Sequence, residues 1–223
     1  MKISQDVKIL IGVGIVTAII VVVAAFTIGS QPVKTSGQKV LSEAQLKILL
    51  RSDMHMTGPK QAKVTVVEFG DFQCPACGVA YQVVKQIKEE YKGKMSFVFR
   101  EYPLMAHKYG YLSALAVEAA SGQGKFWEMY DKLYSNQKEW SESKDALAIF
   151  ATYAKEIGID VNKFREDVDS KKYDAKIQAD LSDGNQLGVN ATPTFFINGK
   201  IYSGALTYDN FKSVVESELK SNK

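Results

Sequence analysis

Cys74 and Cys77 are the only thiols in a chain of 223 residues, and they stand three apart in the run EFGDFQCPAC, residues 68–77. Two thiols at that spacing can close a readily reopened disulfide, or they can supply half of a tetrahedral metal site. Zinc needs four ligands, yet there is no second CxxC and the only histidines are His55 and His107. Redox chemistry is therefore the better reading, and no metal is assigned. A soft two-sulfur Cu(I) site, as in a metallochaperone, is the alternative from a different functional class. A scaffold stapled by many disulfides is excluded, so the fold must rest on its core.

The elements around the pair can be read from residue type and period. Residues 64–69 (VTVVEF) are β-branched and almost continuously apolar, which predicts a strand buried on both faces and stopped by Gly70-Asp71. Beyond the cysteines, Val79, Val83, Ile87 and Tyr91 recur at helical spacing, and Gly93 ends the helix. Residues 95–100 (MSFVFR) predict a second strand, giving a βαβ unit with the thiols at the helix start. There the first turn leaves backbone N–H groups unpaired and concentrates partial positive charge. A thiolate at Cys74 is favoured by that position. Pro75 fits the first helical position, so the amides of Ala76 and Cys77 stay free to face the Cys74 sulfur. Greater thiol acidity makes Cys74 a good leaving group and tilts the pair toward giving its disulfide away.

Glu68 is the second oddity, a carboxylate inside a buried strand. Six residues before Cys74, it can lie beneath the helix start, where desolvation raises its pKa and lets it exchange a proton with the Cys77 thiol. The plain alternative is a wet carboxylate at a sheet edge.

The run GVNATPTFFINGK, residues 188–200, supplies the third part. Residues 194–197 predict a strand, Asn198-Gly199 a two-residue hairpin turn, and residues 200–203 the return strand, with Pro193 at the entrance. With EFGDFQCPAC, the run REYPL (100–104), the helical GKFWEMYDKLYSNQ and GVNATPTFFINGK, the chain resembles the DsbA-like branch of the thioredoxin superfamily. These are thiol–disulfide oxidoreductases of the bacterial cell envelope. The resemblance covers roughly residues 58–219. It implies an α/β thioredoxin-like fold with a helical insertion at about 105–187, Cys74 as nucleophile, Cys77 as resolving thiol, a cis Pro193 packed on the pair, and Glu68 assisting proton transfer. It also implies no bound cofactor beyond the redox-active Cys74–Cys77 disulfide, unfolded exported proteins with free thiols as substrates, and a quinone-linked membrane partner that reoxidises the pair. One departure matters. The strongest oxidants of the family carry Pro-His between the cysteines where this chain has Pro75-Ala76, so a milder oxidant is expected. Thr192 leaves the alternative open, an isomerase or reductase kept reduced by a membrane donor.

The remaining segments frame that domain. In the insertion, Ala146, Ile149, Phe150, Tyr153 and Ile157 form one apolar face closed by Gly158, and Asp160 can cap the next helix. Phe126, Trp127, Tyr130 and Tyr134 are read as its core, and His107 as a surface or hydrogen-bonded structural residue. From Ile9 to Ile28 twenty residues carry no charge, a helix of roughly 30 Å and so of membrane-spanning length. A cleaved signal would have a shorter apolar stretch of about 7–15 residues. The expectation is a retained single-pass anchor in the cell membrane, with residues 1–8 a cytoplasmic tail and the catalytic domain on the extracytoplasmic side. Residues 29–57 read as a tether with a short helix, opened by the capping box Ser42 to Gln45, and residues 58–223 as the catalytic domain. Hydrophobic residues make up 46% of the chain, enough for a core, and Lys plus Arg exceeds Asp plus Glu by only 28 to 25. With no basic block interleaved with aromatics, a nucleic-acid partner is not expected.

Overall fold

The computed structural model describes residues 40–202 and 206–221. The anchor expected at residues 9–28 lies outside the described residues; among them no helix is long and apolar enough to cross a membrane.

A short helix α1 (Glu43–Leu49) leads in, and its Ser42–Gln45 capping box forms as the sequence predicts. Strand β1 (His55–Thr57) follows, then β2 (Val64–Gly70), helix α2 (Pro75–Glu90) and β3 (Met95–Glu101). β2 and β3 are parallel, so α2 must cross over between them. Six helices are then inserted: α3 (Gly110–Ser121), α4 (Phe126–Ser135), α5 (Gln137–Ser141), α6 (Ala146–Glu156), α7 (Val161–Asp169) and α8 (Asp174–Leu187). The hairpin β4 (Thr194–Ile197) and β5 (Lys200–Ile201) and helix α9 (Tyr208–Ser221) complete the described chain. The sheet order is β1-β3-β2-β4-β5. β1 lies ahead of residue 58, so the sheet draws on the stretch read from sequence as tether. Its three residues, His-Met-Thr, are too few to show a strand period.

Because alternate residues of a strand point to opposite sides, the sheet has two cores. One face packs Val64, Val66, Phe97 and Phe99 under α2, α9 and the insertion. The other packs Val67, Phe69, Val98 and Phe196 against Leu49 of α1 and Leu187 of α8. Arg100 is fully buried on this second side. It donates to Asp180 at 2.7 Å and to Asp183 at 2.5 Å, both on α8, and to the carbonyl oxygens of Ile48 and Leu49. One guanidinium thus ties β3, α1 and α8 together.

The apolar side of α2 differs from the expected stripe. Ile87 and Tyr91 are buried, but Val79 stays 66% exposed and Val83 is only half-buried. The inward face is instead Cys77, Ala80, Tyr81, Val84 and Ile87. Cys77 has to meet the sheet, and that requirement rotates the helix about one position from where its valines alone would set it. In the insertion, Ala146, Phe150 and Tyr153 are buried, Gly158 takes a positive φ of 78°, and Asp160 caps α7 through the amides of Asn162 and Lys163.

Candidate active site

Cys74 is the N-cap of α2 and Pro75 its first residue. The amide of Gly78 donates to the Cys74 carbonyl oxygen, the first bond of the helix. Cys74 is 7% exposed, whereas Cys77 is fully buried beneath it. Antiparallel pairing of β4 with β2 sets Thr194 opposite Phe69, which brings the entrance of β4 beside the cysteine loop. The Thr192–Pro193 peptide is cis, and the Cys74 thiol donates to the Thr192 carbonyl oxygen at 3.3 Å. Cys74, Cys77, Pro75, Ala76, Thr192 and Pro193 are therefore gathered at one place, although the last two lie over a hundred residues along the chain.

The two thiols differ strongly. The Cys74 pKa falls to about 5, chiefly through a hydrogen bond from the Cys77 thiol and, after it, through Thr192 and the backbone N–H groups of Cys77 and Ala76; burial opposes the fall. The amides anticipated from Pro75 do take part, but the partner thiol contributes more. Burial drives Cys77 the other way, well above the ordinary thiol range, helped by the adjoining Cys74 and Glu68. At neutral pH the outer sulfur is a thiolate and the inner one a thiol.

Glu68 is 1% exposed in the centre of the sheet, between β3 and β4, which rules out the wet-edge alternative. Neither of its oxygens has a hydrogen-bond partner. Desolvation raises its pKa to about 8, with the Lys88 charge pulling it back and Cys74 adding to the rise. Lys88 sits in an aromatic cage, its Nζ 4.8 Å from the Trp127 ring centroid and 5.1 Å from that of Phe97.

Two further side chains hold the loop in place. Asp71 accepts from the amides of Gln73 at 2.7 Å and Leu104 at 2.8 Å, and pairs with His107 Nδ1 at 2.7 Å. His107 is thus a hydrogen-bonded structural residue. Gln137, at the start of α5, donates its Nε2 to the carbonyl oxygens of Phe72 at 2.6 Å and Cys74 at 2.8 Å. Asp71 stands out in sequence only as a turn residue, and Gln137 carries no local signal, because its partner is backbone.

A thioredoxin family model matches residues 51–217. The probable disulfide bond formation protein D of Bacillus cereus is 33% identical over 218 residues, covering 95% of this chain and 97% of that one. The solved structure of oxidised BdbD from Bacillus subtilis superposes with a TM-score of 0.69 at 27% identity, over 82% of this chain and 97% of that one. The Na(+)/H(+) antiporter NhaA 1 of Salinispora arenicola is 37% identical over 164 residues, which is 73% of this chain. The chain spans only about a quarter of that relative's length, 24%. The chain belongs to the thioredoxin family.

Proposed function

We propose that this protein introduces disulfide bonds into unfolded exported proteins, working on the extracytoplasmic side of the cell membrane from an anchor at residues 9–28. What supports the direction is the split between the two sulfurs. An outer thiolate near pKa 5 stabilises the reduced pair, and a pair stabilised when reduced gives up its disulfide readily.

In the proposed cycle a substrate thiolate attacks Cys74 Sγ. The Cys74–Cys77 bond breaks, a substrate–Cys74 disulfide forms, and the electron pair moves to Cys77. Glu68, protonated at neutral pH, gives Cys77 its proton. A second substrate thiolate then attacks its own disulfide-bonded sulfur, closing the substrate disulfide and releasing Cys74 as a thiolate. The buried Thr192 hydroxyl has no hydrogen-bond partner of its own and lies near enough to the sulfur to favour that thiolate. Pro193 holds the Thr192 carbonyl beside the sulfur, where an extended substrate backbone also passes. Val79 and Met105 leave exposed apolar surface on α2 and on the loop pinned by Asp71, as capture of unfolded chains requires. The Cys74–Cys77 pair is the redox group, no further cofactor is assigned, and a quinone-linked membrane protein returns the pair to the disulfide.

The deciding experiment has two parts: oxidation of a reduced, unfolded protein by the purified oxidised domain, and the state of the pair in cells. Stoichiometric transfer of the disulfide and a mostly oxidised cellular pair are the expected results. Free thiols at Cys74 and Cys77 in cells, with no net oxidation in vitro, would replace this reading with a reductase or isomerase.

A further inference from the structure

Among the described residues, the buried side-chain oxygens without a hydrogen-bond partner belong to Glu68, Glu101, Tyr130, Tyr134 and Thr192. Thr192 lies against Cys74. The other four share the α2 and α4 side of the sheet. Register places them: Glu68 pairs with Phe99, Phe99 pairs on its other side with His55, and Glu101 pairs with Gly70. Alternate residues face the same way, so Glu101 stands on the Glu68 side, about 7 Å further along the strands. Tyr134 descends from α4 into this gap. Its ring lies 4.7 Å from that of Phe72, and its hydroxyl is 3.1 Å from the point where a Cβ on Gly70 would sit. A side chain at Gly70 would meet the Phe99 ring, 2.5 Å from that point, and then the Tyr134 hydroxyl.

Beyond Glu101 the groups lead outward. Glu118 of α3 pairs with His55 Nε2 at 2.8 Å and with Lys176 Nζ at 2.8 Å. The His55 and Lys176 side chains are 14% and 16% exposed, the first contact with solvent on this line. Glu101 itself faces Glu118 on α3, Lys176 and Asp180 on α8, Asp71 after β2, and Tyr134 on α4. Of the groups it faces only Lys176 is positive, and that cation is already bound by Glu118 and Asp180, so a further buried negative charge at Glu101 goes uncompensated. Burial, and then Glu118, accordingly hold the Glu101 carboxyl protonated well above the ordinary range.

We propose that Glu101 is the second station of a proton route that refills Glu68 once Cys77 has taken its proton, with Tyr134 between them and the Glu118–His55 pair at the solvent end. The proposal rests on the thiol–disulfide chemistry above. When a thiolate opens the Cys74–Cys77 bond, Glu68 protonates the departing Cys77 sulfur and becomes a carboxylate. The side-chain oxygens of Glu68, Tyr134 and Glu101 make no hydrogen bond in this structure, so the transfer requires these side chains to turn toward one another; Tyr134 then passes its hydroxyl proton to Glu68 and takes the Glu101 proton, and Glu101 recovers one from water through His55 and Glu118. Charge and protons balance, and Glu68 is ready for the next opening.

Glu101 acts through Glu68, so its test needs a pH profile. Steady-state exchange between glutathione and a small disulfide is measured for the parent protein, Glu101→Gln and Tyr134→Phe between about pH 5 and about pH 8, the range bounded by Cys74 and Glu68. Gln keeps the volume and neutrality of the protonated acid but relays no proton. The expected result is a parent-like rate at the acid end and a loss of roughly ten-fold at the alkaline end, where bulk protons are scarce. Tyr134→Phe, which keeps the packing, gives the same pH-dependent loss and carries the test if Glu101→Gln fails to fold. Profiles superimposable on the parent's, or a loss uniform across the range, would overturn the route. A parent protein that exchanges with glutathione yet oxidises no reduced protein defeats the oxidase reading and leaves this comparison intact.

Discussion

At the scale of single residues the site consists of groups whose surroundings push them apart in acidity. Cys74 falls to about 5 while Glu68 climbs to about 8. The two therefore give the reduced protein opposite stability slopes. A group lowered on folding, Cys74, contributes stability present above its unfolded value of about 8.5 and lost as pH falls through about 5. A group raised on folding, Glu68, contributes stability present below about 4.5 and lost as pH rises through about 8. Only the second slope survives in the oxidised protein. Chemical denaturation should thus show the reduced form gaining on the oxidised form from about pH 5 to about pH 8. Glu68→Gln should remove the slope and be the more stable protein at the alkaline end, by on the order of a few kcal/mol. Ultraviolet thiolate absorbance of the reduced protein should titrate near 5, and Cys77→Ala should move that midpoint upward because the strongest support for the thiolate is the Cys77 thiol. An unmoved midpoint would transfer the credit to the helix amides.

At the scale of elements the active loop is fixed by its neighbours more than by its own turn. Gln137 reaches from α5 to two carbonyl oxygens of the loop, and Asp71 binds the loop after β2 to the one after β3. Gln137→Ala leaves the Phe72 and Cys74 carbonyls without that donor, and a loss of about 1–2 kcal/mol is expected. Hydrogen exchange at Cys77 and Gly78 should speed up in this variant while exchange in β3 stays as it was. Equal effects in both places would mean that α5 supports the whole sheet and not the loop. The rotation of α2 belongs to this scale as well. Its valines suggest one inward face, but Cys77 and Tyr81 face the core instead of Val79 and Val83 because the sheet and α4 lie there.

At the scale of the whole molecule, Arg100 joins the insertion to the thioredoxin core. It spans from β3 to Asp180 and Asp183 of α8, with Arg51 adding a second cation at 3.2 Å from Asp180. Removing one partner of a buried pair leaves the other charge uncompensated, so Arg100→Met should cost about 3–5 kcal/mol in denaturant unfolding. Asp180 also accepts from the Glu101 amide, so the same substitution should loosen the strand end that carries Glu101. A change below about 1 kcal/mol would mean that Arg51 and Lys176 suffice to hold α8.

The residues fixed by local chemistry could be recognised from the chain alone. Two thiols at a helix start, a proline at the first helical position, a carboxylate in a β-branched run and an Asn-Gly hairpin each carry their meaning within a few positions. The strand, helix and hairpin they predict are present, and so is the capping box at Ser42. What only tertiary structure decided is whatever depends on contacts between distant segments: the placing of Thr192 and Pro193 against Cys74, the hold of Gln137 on backbone carbonyls, the face that α2 turns inward, and the enclosure of Glu101 among Glu118, Asp180 and Lys176. Periodicity reports how apolar a position is. It does not report which polar group will be shut away from water, because that depends on what the rest of the chain lays over it.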